Sequence, residues 1–209
     1  IDPNKVHTVV GGPNLEEKFI RENIQQFCPN EPTQSNPLVI GFIGKDWERK
    51  GGKFALEIVQ ELNNRGIFSI LKVIGVPKKN IPDNSFIEYI GFIDKNKDFK
   101  KFAKEINSMH FSTLFSIKEA SPRSNLESLR LGVPILCHDV GGIKSTFLKD
   151  AYGHLFKPFP SSKEVVNWIV SQINPYIIYT SKRKLLQNFS QEINWEREIC
   201  KIKEILQSN

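Results

Sequence analysis

The fold is decided by residues 113–142, which read TLFSIKEASPRSNLESLRLGVPILCHDVGG. An apolar run over residues 111–115 predicts a buried strand. After a polar turn, Pro122 falls where a helix would begin, because its fixed φ suits the first helical position, and Ser121 is a suitable N-cap. Gly132 is suited to end that helix, and another apolar run follows it. The stretch therefore predicts a strand, a helix and a second strand of a parallel sheet.

The rest of the chain alternates predicted strands and helices in the same way. Strands are predicted at 6–10, 38–43, 67–74, 86–90 and 153–156. Helices are predicted at 15–27, 53–64, 98–107, 164–174, 176–189 and 193–206. This alternation predicts an α/β fold, a doubly wound and mostly parallel sheet of about six strands, with helices on both faces and further helices at the C-terminus.

Two carboxylates of the central stretch are candidates for ligand binding. Glu119 falls in the loop at the carboxyl end of a predicted strand, and Glu127 lies inside the following helix. Open parallel sheets bind ligands at this edge, and amides at the helix start, here those of Arg123 and Ser124, favour an anionic group. A carboxylate accepts hydrogen bonds from two adjacent hydroxyls. The pattern therefore suits an anionic ligand that carries a sugar or ribose diol.

A second loop places basic residues at the same predicted edge. The strand at 38–43 runs into GKDWERKGG, residues 44–52, before the helix at 53–64. This loop is not a P-loop, because its lysines precede the glycines instead of following them. Lys45 and Lys50 are candidates for phosphate binding, and surface charge on a loop is the alternative for both.

Together, the two stretches resemble the donor site of the retaining family 4 glycosyltransferases. Those enzymes have the GT-B fold, in which two Rossmann-like domains face each other across a cleft. The positions that match the family's motif are Glu119, Pro122, Glu127, Gly132, Pro134, Asp139, Gly141 and Gly142. The sequence departs from the family at Ala120, where glycine is usual, and at Ser121, where an aromatic residue is frequent.

The resemblance implies a retaining, metal-independent transfer from a nucleotide-diphosphate sugar, a UDP- or GDP-sugar, with no cofactor and no metal site. It assigns catalysis to Lys45 and Lys50, which would neutralise the leaving diphosphate, and to Glu119, which would hold sugar hydroxyls. Glu127 would hold the ribose diol. The other implied donor contacts are Ser121, Pro122, Arg123, Ser124, Gly44 and Ile93. For Ile93, packing in the core is the alternative.

The resemblance also implies the domain organisation and the partners. Residues 1–209 would form a single nucleotide-sugar-binding Rossmann-like domain, the second half of a GT-B enzyme. The missing N-terminal domain, of about 150–200 residues, would supply the acceptor site and any peripheral contact with the inner face of a membrane. We expect this chain to bind donor weakly and to transfer nothing alone.

The composition gives less information about the class of protein than the motifs do. The chain is 39% hydrophobic and 25% charged, with a formal net charge of +6. No apolar run is long enough to span a bilayer, and three widely spaced cysteines indicate reduced thiols, so we expect a cytoplasmic protein. The lysines are dispersed, and no nucleic-acid partner is expected.

Two other functions remain open at the level of the sequence. One is a nucleotide-sugar epimerase-like domain, which would need a further acid or base, and His138 at a strand end is the candidate. The other is a non-catalytic domain of the same fold that binds a protein partner or a nucleic acid, which the positive charge permits.

Overall fold

The structure, a computed structural model, describes residues 6–7, 9–23, 27–147 and 149–207. Its centre is a six-stranded parallel sheet with the strand order β3-β2-β1-β4-β5-β6. The strands are Leu38–Ile43 (β1), Ser69–Ile74 (β2), Ile87–Gly91 (β3), Phe111–Leu114 (β4), Ile135–His138 (β5) and Gly153–Phe156 (β6). The order reverses between β1 and β4, and the predicted doubly wound α/β fold is confirmed. A crevice opens at such a reversal, which makes it the expected place for a ligand.

The described residues contain seven α-helices. They are Glu17–Asn23 (α1), Gly52–Asn64 (α2), Phe99–Asn107 (α3), Arg123–Arg130 (α4), Ser162–Ile173 (α5), Tyr176–Ser190 (α6) and Trp195–Gln207 (α7). No helix in this part of the chain combines the length and the apolar character that crossing a bilayer requires.

Helices cover both faces of the sheet because alternate strand residues point in opposite directions. On one face, Ile40 and Phe42 of β1 and Leu136 of β5 pack in the cluster that includes the buried sides of α2 and α5. On the other face, Ile43 packs with α3, while Ile135 packs with α4. The four inner strands, β1, β2, β4 and β5, are almost entirely buried, which explains why β1, for example, is a continuous apolar run in the sequence.

Two predictions at the N-terminus are wrong. No strand forms at residues 6–7 and 9–10, the described part of the predicted strand, and Val6 is exposed. Helix α1 is Glu17–Asn23, so it begins later than predicted, and Phe27 is non-helical and exposed. Residues 24–26 of the predicted helix lie outside the described residues. The segment Cys28–Pro37 is a loop, as predicted, and it leads directly into β1.

The start of α4 also differs from the prediction. The helix begins at Arg123, with Pro122 at the N-cap position and no side-chain cap. The Ser121 hydroxyl therefore does not cap the helix; instead, the Ser121 carbonyl accepts a hydrogen bond from the Arg123 amide at 2.9 Å. Gly132 follows the helix with φ of +74°, a conformation that glycine adopts without a steric penalty, as predicted for this helix end.

Candidate functional site

A cavity of about 510 Å³ opens at the carboxyl ends of β1, β2 and β3, beside the first turns of α4. Its size lies within the range of small-molecule sites. Its charged lining residues are Lys45, Arg49, Lys50, Asp94, Lys95 and Glu127, and its uncharged ones are Asn14, Ile43, Gly44, Ile74, Gly75, Phe92, Ile93, Asn96, Phe102 and Ser124. The lining carries four basic groups and two acidic ones, a net positive charge that favours an anionic ligand.

The loop between β1 and α2 is held close to the sheet by glycines. A Cβ on Gly75 would lie 2.8 Å from the Gly44 carbonyl oxygen. Gly51 has φ of +78°, and a Cβ there would lie 2.4 Å from the Phe115 carbonyl oxygen. Side chains at these positions would push the loop off the ends of β2 and β4, so the glycines allow it to present Lys45 and Lys50 to the cavity.

Glu119 meets the basic loop at the rim of the cavity. Its Oε2 lies 3.2 Å from Lys50 Nζ and 3.7 Å from a guanidinium nitrogen of Arg49. The Ser116 hydroxyl is 3.5 Å from the same oxygen. The Glu119 side chain is 12% exposed, so it keeps access to solvent at this rim. The structure thus brings Glu119 and Lys50 together, as the sequence analysis expects.

The glycine pair 141–142 positions the loop that carries Glu119. The Gly142 amide donates to the Glu119 carbonyl at 2.9 Å. A Cβ on Gly141 would lie 2.0 Å from that carbonyl oxygen, and a Cβ on Gly142 would lie 1.9 Å from the Ala120 carbonyl oxygen. Only glycine permits such an approach of two backbones, which gives the Asp-x-Gly-Gly motif a physical reason.

Glu127 lies inside the cavity and pairs with Lys95, whose Nζ donates to Glu127 Oε1. Burial raises the pKa of Glu127, and the ammonium groups of Lys95 and Lys50 act in the opposite direction. Sequence reasoning missed Lys95, because it stands among dispersed lysines typical of a solvated surface. Its position after β3, at the same edge as Glu119, is the signal that could have found it.

The start of α4 contributes Ser124 to the cavity. The Ser124 hydroxyl oxygen is buried and has no hydrogen-bond partner in the described residues, so it is available to a ligand. Ser124 and Glu127 are three residues apart and therefore share one face of the helix.

Arg123 is engaged elsewhere. Its amide donates to the Ser121 carbonyl, and its guanidinium donates to the Gly12 carbonyl and lies 5.0 Å from the Trp195 ring. Ser121 is exposed and Pro122 is buried, and neither lines the cavity. The Arg123 amide is therefore already hydrogen-bonded within the protein. Donor contacts at these three residues remain predictions.

The remaining candidates line the outer part of the cavity. Lys45 Nζ lies 5.9 Å from the centre of the Phe92 ring, and no carboxylate of the described residues lies within 4 Å of it. Phe92 is 69% exposed at the mouth. Ile93 lines the cavity and also packs with α3. Its position is therefore compatible with a donor contact and with packing in the core.

His138 does not face the cavity. It is 2% exposed, its Nδ1 accepts from the Phe159 amide at 3.0 Å, and its Nε2 lies 2.8 Å from the Ser116 carbonyl oxygen. Both ring nitrogens are therefore engaged within the protein, and neither is left for a substrate. Among the described residues, no group of three or more metal-ligating side chains comes together.

The sequence matches no protein-family model, and no curated protein matches it. Solved structures match in fold. Anabaena HepE in complex with UDP and glucose has a TM-score of 0.64 and 17% identity, over 84% of this chain and 49% of that one. Sucrose-phosphate synthase from Thermosynechococcus elongatus has a TM-score of 0.62 and 15% identity, over 95% and 57%. The lipopolysaccharide outer core galactosyltransferase WaaB has a TM-score of 0.62 and 13% identity, over 89% and 53%.

The chain spans about half the length of the structures that it matches. At these identities the comparisons establish the fold alone, and membership in the retaining family 4 stays a prediction. The six-stranded parallel sheet with helices on both faces therefore has the architecture of the Rossmann-like, C-terminal domain of GT-B glycosyltransferases.

Proposed function

We propose that the chain is the donor-binding domain of a retaining, metal-independent glycosyltransferase that uses a nucleotide-diphosphate sugar. The observation that carries the proposal is the convergence of Lys45, Lys50, Glu119 and Glu127, from two loops and the first turns of α4, on one cavity and its rim. Structures of the same fold support it, since HepE was solved in complex with UDP-glucose.

Lys45, Lys50 and the Ser124 hydroxyl would bind the diphosphate. Lys45 has no carboxylate partner in the described residues and Ser124 Oγ has no hydrogen-bond partner there, so neither must break an ion pair or a hydrogen bond to bind an anion. As the sugar leaves, negative charge grows on the diphosphate, and prearranged cations stabilise that charge most in the transition state. Loss of one such group typically costs about 3 kcal/mol. These side chains would take the role that a metal ion has in other transferases.

The two carboxylates would orient the donor. Glu127, deep in the cavity, would accept hydrogen bonds from the ribose hydroxyls, while Glu119 at the rim would accept them from the sugar. Neither acts as a nucleophile in this proposal. The acceptor hydroxyl attacks from the face that the diphosphate leaves, and the departing phosphate takes the hydroxyl proton, so the configuration of the sugar is retained.

The acceptor would bind on a first domain that faces this cavity. The proposal therefore assigns this chain donor binding without transfer, and it places the enzyme in the cytoplasm with no cofactor. Any contact with the inner face of a membrane would belong to the first domain.

Calorimetric titration of the chain with UDP, GDP and ADP tests the proposal. We expect at least one nucleotide to bind, and we expect Glu127→Ala to weaken that binding while Glu57→Ala, on the exposed side of α2, does not. An absence of binding, or equal binding by Glu127→Ala, would contradict the site. Salt-dependent binding of random RNA that Lys45→Ala leaves unchanged would favour the nucleic-acid alternative.

A further inference from the structure

The pair of Lys95 and Glu127 closes one side of the cavity. Lys95 lies in the turn between β3 and α3, and its Nζ donates to Oε1 of Glu127 on α4. The turn is ordered by the Asp94 carbonyl, which accepts from the amides of Lys97 and Asp98 at 3.0 and 2.8 Å. The pair therefore joins two elements that both line the cavity, the β3–α3 turn and α4.

The two oxygens of Glu127 have different surroundings. Oε1 is taken by Lys95, whereas Oε2 has no hydrogen-bond partner in the described residues and is not fully buried. Because Glu127 lines the cavity, its accessible oxygen is the one presented to a ligand. A carboxylate fixed through one oxygen has lost most of its rotational freedom, so the direction of the other oxygen is set by Lys95.

The contact with Lys95 keeps the Glu127 carboxylate ionised, because the other charged groups nearby do not contact it. Lys50 from the β1–α2 loop and Arg123 from the start of α4 act on it at longer range, while Lys45, Arg49 and Asp94 complete the charged lining. Arg123 is engaged with Gly12, and Lys50 with Glu119. Among these groups, Lys95 alone forms a hydrogen bond with the Glu127 carboxylate. Without it, burial would favour the protonated acid.

We propose that Lys95 is a positioning residue for the nucleoside, which holds Oε1 of Glu127 so that Oε2 accepts from the ribose hydroxyl pair. This inference rests on the proposed function, because it assumes that Glu127 receives the ribose. Lys95 acts through Glu127 and does not itself touch the diphosphate. A nucleotide with both ribose hydroxyls is thereby preferred over its 2′-deoxy form.

The variant Lys95→Met keeps the aliphatic stem and removes the charge. The unpaired acid then takes up a proton more readily, and a neutral acid is a poorer acceptor than a carboxylate. UDP binding by this variant should be about tenfold weaker than wild type at pH 6, should recover towards pH 8.5, and should lose its preference over 2′-deoxy-UDP at the lower pH. Lys95→Arg should restore the wild-type profile.

The control is Lys97→Met, two residues along the same turn, where the side chain is 85% exposed and outside the cavity lining. The terminal phosphate of UDP also titrates in this pH range. Its effect on binding is the same in the wild type and in the control, so it can be subtracted. A parallel pH profile for Lys95→Met and Lys97→Met would overturn the proposal.

A double-mutant comparison separates positioning from direct contact with the ligand. In a Glu127→Gln background, adding Lys95→Met should leave UDP affinity unchanged, because the group through which Lys95 acts is gone. A further loss of tenfold or more in that background would show that Lys95 binds the nucleotide directly, against the proposal.

A pH titration of the ligand-free protein, followed by the NMR signal of the Glu127 carboxyl carbon, shows whether only the role of Lys95 is wrong or the proposed function as a whole. We expect Lys95→Met to raise the pKa of Glu127, with Glu127→Gln used to assign the signal. If UDP binds normally but this pKa does not change, positioning by Lys95 is wrong and the proposed function stands. If wild type binds none of the three nucleotides, the proposed function fails, and the assigned role of Lys95 fails with it.

Discussion

The ammonium nitrogen of Lys50 lies 3.2 Å from Oε2 of Glu119, although 69 residues separate them in the chain. Each sits on a loop that follows a strand, and those strands, β1 and β4, are neighbours across the reversal in strand order. The pair therefore marks the place where the sheet opens. If Lys50 binds a diphosphate as proposed, its contact with Glu119 holds the ammonium group at the edge of the cavity before any ligand binds.

Lys45→Ala and Lys50→Ala should each weaken UDP binding by about 1.5–3 kcal/mol, the usual worth of a hydrogen bond to a charged group. The weakening should be larger at low salt, because the contact is ionic. Calorimetry measures the affinity, and Lys53→Ala on the exposed side of α2 is the matched control. Equal affinities for all three variants would contradict a diphosphate site at this loop.

Removal of divalent metal ions should leave UDP binding unchanged. In the proposed site, Lys45 and Lys50 line the cavity and balance the diphosphate charge without a metal ion. Titrations with excess EDTA and with excess magnesium measure this directly. A marked gain of affinity with magnesium would argue against metal independence.

Gly142→Ala should lower the free energy of unfolding by about 1–3 kcal/mol and weaken nucleotide-sugar binding. The added Cβ would lie 1.9 Å from the Ala120 carbonyl oxygen, so the loop that carries Glu119 must move. Urea unfolding measures the loss. Gly66→Ala is an informative control, because its φ of +78° carries backbone strain while no heavy atom lies within 4 Å of the new Cβ. It should cost stability without affecting binding.

The stability of the domain should fall as the pH is lowered from about 6.5 to about 4. Burial lowers the pKa of His110 to about 4, and its Nδ1 accepts from the Val39 amide, a bond that the protonated ring cannot form. The unfolded chain, with an ordinary histidine pKa near 6.5, takes up the proton first. The contribution is therefore complete above pH 6.5 and lost through this window, about 3 kcal/mol in all.

Urea unfolding at several pH values between 4 and 7.5 measures this dependence. His110→Gln should be less stable at neutral pH and should show a shallower slope than the wild type. Carboxylates and His154 titrate in the wild type and in His110→Gln alike. The difference between the pH dependences of their unfolding free energies therefore measures the contribution of His110. Identical slopes would show that His110 is not the responsible group.

The sequence predicted the sheet well because buried parallel strands are continuous apolar runs, and β1 and β6 have the predicted boundaries. It predicted the loops that carry Lys50 and Glu119 because glycine and proline mark their ends. The N-terminal segment was less predictable. A run such as Val6–Val10 becomes a strand only when a neighbouring strand pairs with it, and periodicity contains no information about that partner.

The candidate site was only partly predictable for a related reason. Glu119 and Glu127 were found through their spacing to each other and to the glycine pair that follows. Lys95 has no such spacing, and its role depends on the distance between the β3–α3 turn and α4, which only the folded chain defines. The Ser121 cap failed because Pro122 occupies the N-cap position itself.

The contact between the glycine pair and the Glu119 loop involves main-chain atoms on both sides, the Gly142 amide and the carbonyl oxygens of Glu119 and Ala120. Neither the methyl group of Ala120 nor the hydroxyl of Ser121 takes part in it. Substitutions at positions 120 and 121 can therefore accumulate during divergence while the acid beside them stays in register. In the proposed donor site, the side chains at positions 120 and 121 can therefore change the shape of the rim while this main-chain contact keeps Glu119 in place.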